Sequence, residues 1–236
     1  MSSLEAVWLG RVDYQTAWDL QGRLVVARSA GQIPDQLLLL DHPHTFTIGR
    51  SGTRDHLLIG PERLADLGAS VFEVDRGGDI TYHGPGQLVG YPIVDLTQRG
   101  RDAHAYLRAI EQSLIDLLAG WGIAADRSPG YTGVWVGYEK VAAIGVRISR
   151  WVTSHGFALN LDPDLSYFEA IVPCGIRDRG VTSVRQLAGG APPLPEAARL
   201  AAEHLSRVWD ADLRWADPTD WLDARGLTCL PGVLSR

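Results

Sequence analysis

Residues 70–95 read S-V-F-E-V-D-R-G-G-D-I-T-Y-H-G-P-G-Q-L-V-G-Y-P-I-V-D, and this run points to the fold class. Three strand-like segments, 70–75, 79–83 and 87–95, succeed one another with no helix between them. Gly77, Gly78, Gly84 and Gly86 mark the turns. A parallel doubly wound sheet needs a crossover helix between successive strands, so the pattern argues for an α+β arrangement.

Towards the N-terminus, 4–12 reads as a strand, and Asp13 reads as the N-cap of a helix with Tyr14, Ala17, Trp18 and Leu24 on one face. Residues 37–41 and 45–49 are short apolar strands split by His42, Pro43 and His44. Pro61-Glu62 suits the start of a short helix over 61–67. Downstream, 102–121 is the clearest helix, with Leu107, Ile110, Leu114, Leu117 and Leu118 at helical spacing and Gly122 as its stop. Segments 132–136, 139–149 and 152–161 read as strands, 195–209 as a helix, and 217–236 as a short helix plus coil. The stretch 189–195, G-G-A-P-P-L-P, is linker-like, but the chain beyond it is too short for a second core. One domain over 1–236 is expected.

Composition narrows the function classes. The chain has 236 residues, 45% hydrophobic and 21% charged, which excludes disorder as its main theme. A net charge of -6 argues against general binding to nucleic acid or anionic membranes. No apolar run approaches the roughly 18 residues of a membrane helix. The opening M-S-S-L-E-A-V-W has no signal-peptide pattern, so a cytoplasmic protein is expected. Two cysteines make no disulfide framework, and a Cys174–Cys229 bond is not expected in a reducing compartment.

Lys140 is the only lysine; every other member of the 22 lysines and arginines is arginine. Arginine stays protonated, whereas lysine chemistry is tunable by burial. A lysine heading the apolar run K-V-A-A-I-G-V is therefore either an amine kept for chemistry or a survivor of arginine bias. Cys174 lies in V-P-C-G-I-R-D-R-G, where Pro173 and Gly175 favour an exposing turn and Arg177 and Arg179 favour a thiolate. A buried inert thiol fits these residues too. Cys229, in L-T-C-L-P, has no such setting.

The run R-G-G-D-I-T-Y-H-G-P-G-Q (76–87) lets backbone N–H groups approach a ligand, or simply forms a tight hairpin. His42, His44, His83 and His155 invite a metal reading, yet no C-x-x-C or H-E-x-x-H spacing supports one. Hydrogen-bonded histidines and no metal are expected. V-A-A-I-G-V (141–146) and S-H-G-F-A-L-N (154–160) are small and apolar. On adjacent strands they form a groove for a thin apolar chain, or pack closely.

Four blocks in order, R-G-G-D-I-T-Y-H-G-P-G-Q, K-V-A-A-I-G-V-R, H-G-F-A-L-N and P-C-G-I, resemble the lipoyl(octanoyl) transferases, with a likeness spanning 37–187. The resemblance implies the α+β fold of biotin and lipoate protein ligases, a mixed, largely antiparallel sheet flanked by helices. It implies Cys174 as acyl-thioester nucleophile and Lys140 as the group that lowers its pKa. Arg76, Gly77, Gly78, Asp79, Ile80, Thr81, Tyr82 and His83 would line the substrate site, together with Ala143, Ile144, Gly145, Gly156, Phe157 and Ala158.

The implied donor is octanoyl-acyl carrier protein. The implied acceptors are lipoyl domains of 2-oxoacid dehydrogenases and the glycine cleavage H protein. Thioester exchange requires neither ATP nor metal, so no cofactor is expected. The acyl chain would gain about 0.8 kcal/mol per buried methylene, with the groove near Ile144 and Phe157 its expected seat. Arg147, Arg150, Arg177 and Arg179 read as a docking patch for acidic partners or as a solvated basic edge. The competing readings are an ATP-dependent lipoate protein ligase, a Cys–His hydrolase pairing Cys174 with His83 or His155, and a non-catalytic module that binds lipoyl domains.

Overall fold

The computed structural model describes residues 2–172 and 179–227. Cys174 and Cys229 fall outside the described residues, as do Pro173, Gly175 and Arg177 and the end of the 217–236 segment.

Leu37, Leu38, Leu39 and Leu40 are all fully buried, with Leu37 and Leu39 in one core and Leu38 and Leu40 in another. An unbroken apolar run is what a strand covered on both faces requires. This strand, β2 (Asp35–Asp41), lies in the larger of two sheets. Its neighbours are β1 (Ser2–Arg11), which runs parallel to it, and β6 (Gln87–Ile93), which runs antiparallel. Beyond β6 come β10 (Val152–Asn160), β9 (Glu139–Ser149), β8 (Tyr131–Val136) and β7 (Asp126–Ser128), all antiparallel. On the far side β12 (Ala211–Trp215) runs parallel to β1, and the two-residue β11 (Gly180–Val181) runs parallel to β9.

Helices α3 (Ala103–Gly120) and α5 (Leu194–Val208) contribute Ile110, Leu114, Leu117, Ala198, Ala202 and Leu205 to the core on one face. On the other, α1 (Tyr14–Ser29) and α6 (Pro218–Asp223) bring Ala17, Leu20, Leu24 and Trp221. The Asp102 side chain caps α3, accepting from the N–H of His104 (2.8 Å) and Ala105 (2.9 Å). Asp13 also stands at an N-cap, but its side chain makes no capping bond, so α1 starts without that help. Trp18 is half-buried rather than part of the inner stripe. The segment after 189–195 joins the existing core through α5.

The three strands of the 70–95 run do not stay together in one sheet. β4 (Ser70–Glu73) and β5 (Ile80–His83) flank β3 (Thr45–Ile48) in a separate three-stranded sheet, and only β6 enters the large one. Gly86, at φ +85, makes the turn between them, and a Cβ there would lie 2.4 Å from the Asp162 carbonyl oxygen. Phe46, Ile80, Tyr82, Phe168 and Ile171 form the small sheet's own core. The short helices α2 (Pro61–Asp66) and α4 (Val184–Ala188) complete the regular structure together with short 3-10 turns.

Candidate active site

β9 and β10 pair so that Ala143 faces Ala158, Ile144 faces Phe157 and Gly145 faces Gly156. Gly156 has no room for a side chain: a Cβ would sit 2.1 Å from the Gly90 carbonyl oxygen and 2.6 Å from Pro92 Cδ. The 76–78 loop crosses these strands, tied down by the Gly77 N–H donating to the Val146 carbonyl (2.9 Å). Between loop and strands lies a cavity of about 480 Å³.

Arg76, Gly77, Gly78, Asp79, Ile80, Thr81 and His83 line this cavity, as do Ala143, Ile144, Gly145, Gly156, Phe157 and Ala158. Tyr82 does not. Strand alternation in β5 turns its ring into the small sheet's core, where its hydroxyl shares a 2.8 Å hydrogen bond with His44 Nδ1. Arg76 acts largely as a brace. Its guanidinium donates to the Thr47 carbonyl (2.6 Å), Thr47 Oγ1 (2.8 Å) and the Gly77 carbonyl (3.0 Å), joining loop to small sheet. Asp79 is shared between the Ile80 N–H (2.7 Å) and the His56 ring.

Lys140 reaches the cavity through a break in strand regularity. Val134 pairs with Ala142 and Trp135 with Lys140, so Val141 is the extra residue of a β-bulge. Val141 and Ala142 both enter the α3-side core, and the shifted alternation turns Lys140 to the cavity with Ala143. Lys140 is half-buried, with its amine 4.8 Å from the centre of the Trp135 ring. Gly133, at φ +128, lies beneath the lysine stem.

Several lining residues were not expected at the site: Tyr14, Ser51, Tyr91, Leu107, Gly130, Tyr131 and Thr132; Val146 and His155, from the two small apolar runs, line it as well. The histidines on and behind this wall are held by hydrogen bonds. His42 Nδ1–H donates to the Val12 carbonyl (2.6 Å) and its Nε2 meets the Tyr91 hydroxyl (2.7 Å). His83 bridges Gln87 Oε1 (2.9 Å) and Thr47 Oγ1 (3.3 Å). Burial pulls the His42 pKa down to about 4 and lowers those of His83 and His155. For His155 the Asp75 carboxylate at 2.9 Å opposes that fall. Burial also raises the Tyr14 and Tyr91 hydroxyls well above the phenolic range.

Of the four arginines of the expected basic patch, Arg177 lies outside the described residues. Arg147 pairs with Asp75 at 2.7 Å. Arg179 donates to Ser128 Oγ (2.7 Å) and lies 4.6 Å from the Tyr131 ring centre and 5.1 Å from that of Trp135. Arg150 is exposed in the β9–β10 turn.

Glycines of β9 and β10 and the single lysine thus line one cavity on the larger sheet of an α+β fold. Residues 13–206 match the lipoyl protein ligase A/B catalytic domain family. Among solved structures, a lipoate-protein ligase A bound with ATP superposes with a TM-score of 0.73 at 17% identity, over 97% of this chain and 94% of that one. The biotin protein ligase of Aquifex aeolicus superposes with 0.51 at 15% identity, over 89% of this chain and 70% of that one. These likenesses show the fold. Sequence relatives are nearer. The octanoyltransferase of Solibacter usitatus is 52% identical over 205 residues, covering 87% of this chain and 92% of that one. That of Chloroflexus aggregans is 51% identical over 213 residues, covering 89% and 96%. The chain is an enzyme of the octanoyltransferase family. Among the described residues, no helix is long and apolar enough to cross a membrane.

Proposed function

We propose that the chain transfers an octanoyl group from octanoyl-acyl carrier protein to a lysine of lipoyl domains, through a thioester on Cys174. The Cys174 thiol passes its proton to Lys140, the thiolate attacks the donor thioester carbonyl, the bond to the carrier sulfur breaks, and that proton returns from Lys140 to the leaving carrier thiolate. The acceptor amine then attacks the acyl-cysteine carbonyl, the carbon–sulfur bond breaks, and the amine's proton passes to Lys140. Both steps exchange or consume a thioester already in hand, so neither calls on ATP or a metal. The 2-oxoacid dehydrogenases and the glycine cleavage H protein supply the acceptors in this reading. The chain works as one catalytic domain, in the cytoplasm.

One observation carries the reading: the only lysine in the chain lies on the wall of the cavity, brought there by the bulge at Val141. Ala143, Gly145, Gly156 and Ala158 lie on the same wall, and a small apolar lining suits an alkyl chain in this reading. Intact-mass measurement after incubation with octanoyl-acyl carrier protein is the test. Wild type should gain one octanoyl mass and Cys174→Ala none. An equal adduct on the variant refutes the cysteine intermediate, and a requirement for ATP points instead to a ligase.

A further inference from the structure

Glu111 is a carboxylate in the wrong place for a solvated helix. It sits on α3 at 1% exposure. Oε2 accepts from Arg108 Nη1 (2.6 Å) and Arg127 Nε (3.0 Å). Oε1 accepts from the backbone N–H of Gly133 (3.2 Å). Gly133 holds a backbone conformation reserved for glycine, and a Cβ on it would lie 2.7 Å from the Ala142 carbonyl oxygen and 3.4 and 3.5 Å from Lys140 Cε and Cδ. The main chain at Gly133 is thus the surface along which the lysine stem runs, and Glu111 fixes that surface from the helix. The residues just before it, Gly130 to Thr132, line the cavity.

We infer that Glu111 is a positioning residue for Lys140, acting through the Gly133 N–H. The two charges on its other oxygen satisfy the buried carboxylate, which leaves Oε1 to hold one backbone group at one point. Together with the bulge at Val141 this clamps the strand pair on both sides of the lysine. The bearing of Glu111 on catalysis rests on the role proposed above for Lys140; its effect on the geometry of Lys140 does not.

A single lysine makes the test direct, because an acetylating amine reagent reports one side chain, quantified on the peptide that carries it. Glu111→Gln removes the charge at nearly constant volume. At pH 8 its Lys140 should be acetylated about threefold faster than in wild type, and octanoyl transfer should lose about tenfold in kcat with the donor KM within about twofold. Leu24→Ala, which opens the opposite core, should lower stability and leave Lys140 acetylation unchanged. Should Glu111→Gln fail to fold, Glu111→Asp, which keeps the charge and withdraws the oxygen, carries the same expectation. Lys140 acetylation within about 1.5-fold of wild type in the folded variant overturns the inference, whatever happens to transfer. Altered acetylation with normal transfer upholds it and removes Lys140 from the proposed reaction.

Discussion

Acid should unfold this protein through its buried histidines, and His42 allows the size of the effect to be worked out. Its Nδ1–H is engaged by the Val12 carbonyl, and its Nε2 faces the Tyr91 hydroxyl, with no exposure of the ring. Burial of the whole ring penalises the charged form and outweighs the Val12 carbonyl that favours it, so the folded state holds His42 neutral and its pKa falls from 6.5 to about 4. The unfolded chain binds that proton from about pH 6.5 downward, whereas the folded chain refuses it until about pH 4. Between those limits the unfolded state carries more protons, so stability falls as pH falls. The gap of about 2.5 units, at about 1.36 kcal/mol each, amounts to roughly 3 kcal/mol. His42→Gln removes the titrating group and isolates its share from those of His83 and His155. Denaturant unfolding of both proteins at pH 7.5, 6.5, 5.5 and 4.5 gives the comparison. The advantage of wild type should be constant above about pH 6.5 and shrink by roughly 2–3 kcal/mol by pH 4.5. An advantage that stays flat to within about 0.5 kcal/mol over the whole range would show that His42 is not held neutral.

Three further outcomes are expected. Lys140→Arg keeps the charge and discards the base, so octanoyl transfer should drop by about a hundredfold or more while unfolding free energy stays within about 1 kcal/mol; near-normal transfer would leave the amine only an electrostatic part. Phe157→Ala, at a buried ring on the cavity wall, should cost about 3–5 kcal/mol and raise the rate with dodecanoyl relative to octanoyl donor; an unchanged ratio places the alkyl chain elsewhere. Asp75→Asn deletes the carboxylate that props up the His155 pKa, so an NMR titration should find that pKa lower than in wild type, and a rise contradicts the assigned contact.

Long elements with strong periodicity could be read before any coordinates. The helix over 102–121 announces itself through its spacing, and the leucine strand at 37–41 through a short unbroken apolar run next to Pro43. β7, β11, β12 and α4 are too short, at two to five residues, to show a period. The departure of β5 from β6 into a second sheet depends on pairing with β3, some thirty residues earlier, which local pattern does not encode. Within the site, glycine-rich blocks mark where backbone must pass close to backbone, and those residues do gather round one cavity. Tyr82 fails to join them because alternation in β5 turns it to the opposite face. The orientation of Lys140 was equally hidden, since a bulge breaks the alternation that sequence reading assumes. Tyr14 and Tyr91 reach the wall by long-range packing, which their own neighbours do not signal.

The pairing of β12 with β1 sets Ser2 beside Ala211 and carries on to Ala6 beside Trp215. During synthesis the first strand therefore leaves the ribosome long before the partner for its outer edge exists. Contacts so distant along the chain form late and slowly. Until β12 covers it, the outer edge of β1 presents unpaired backbone groups that another chain could pair with, so that seam is where misassembly is expected.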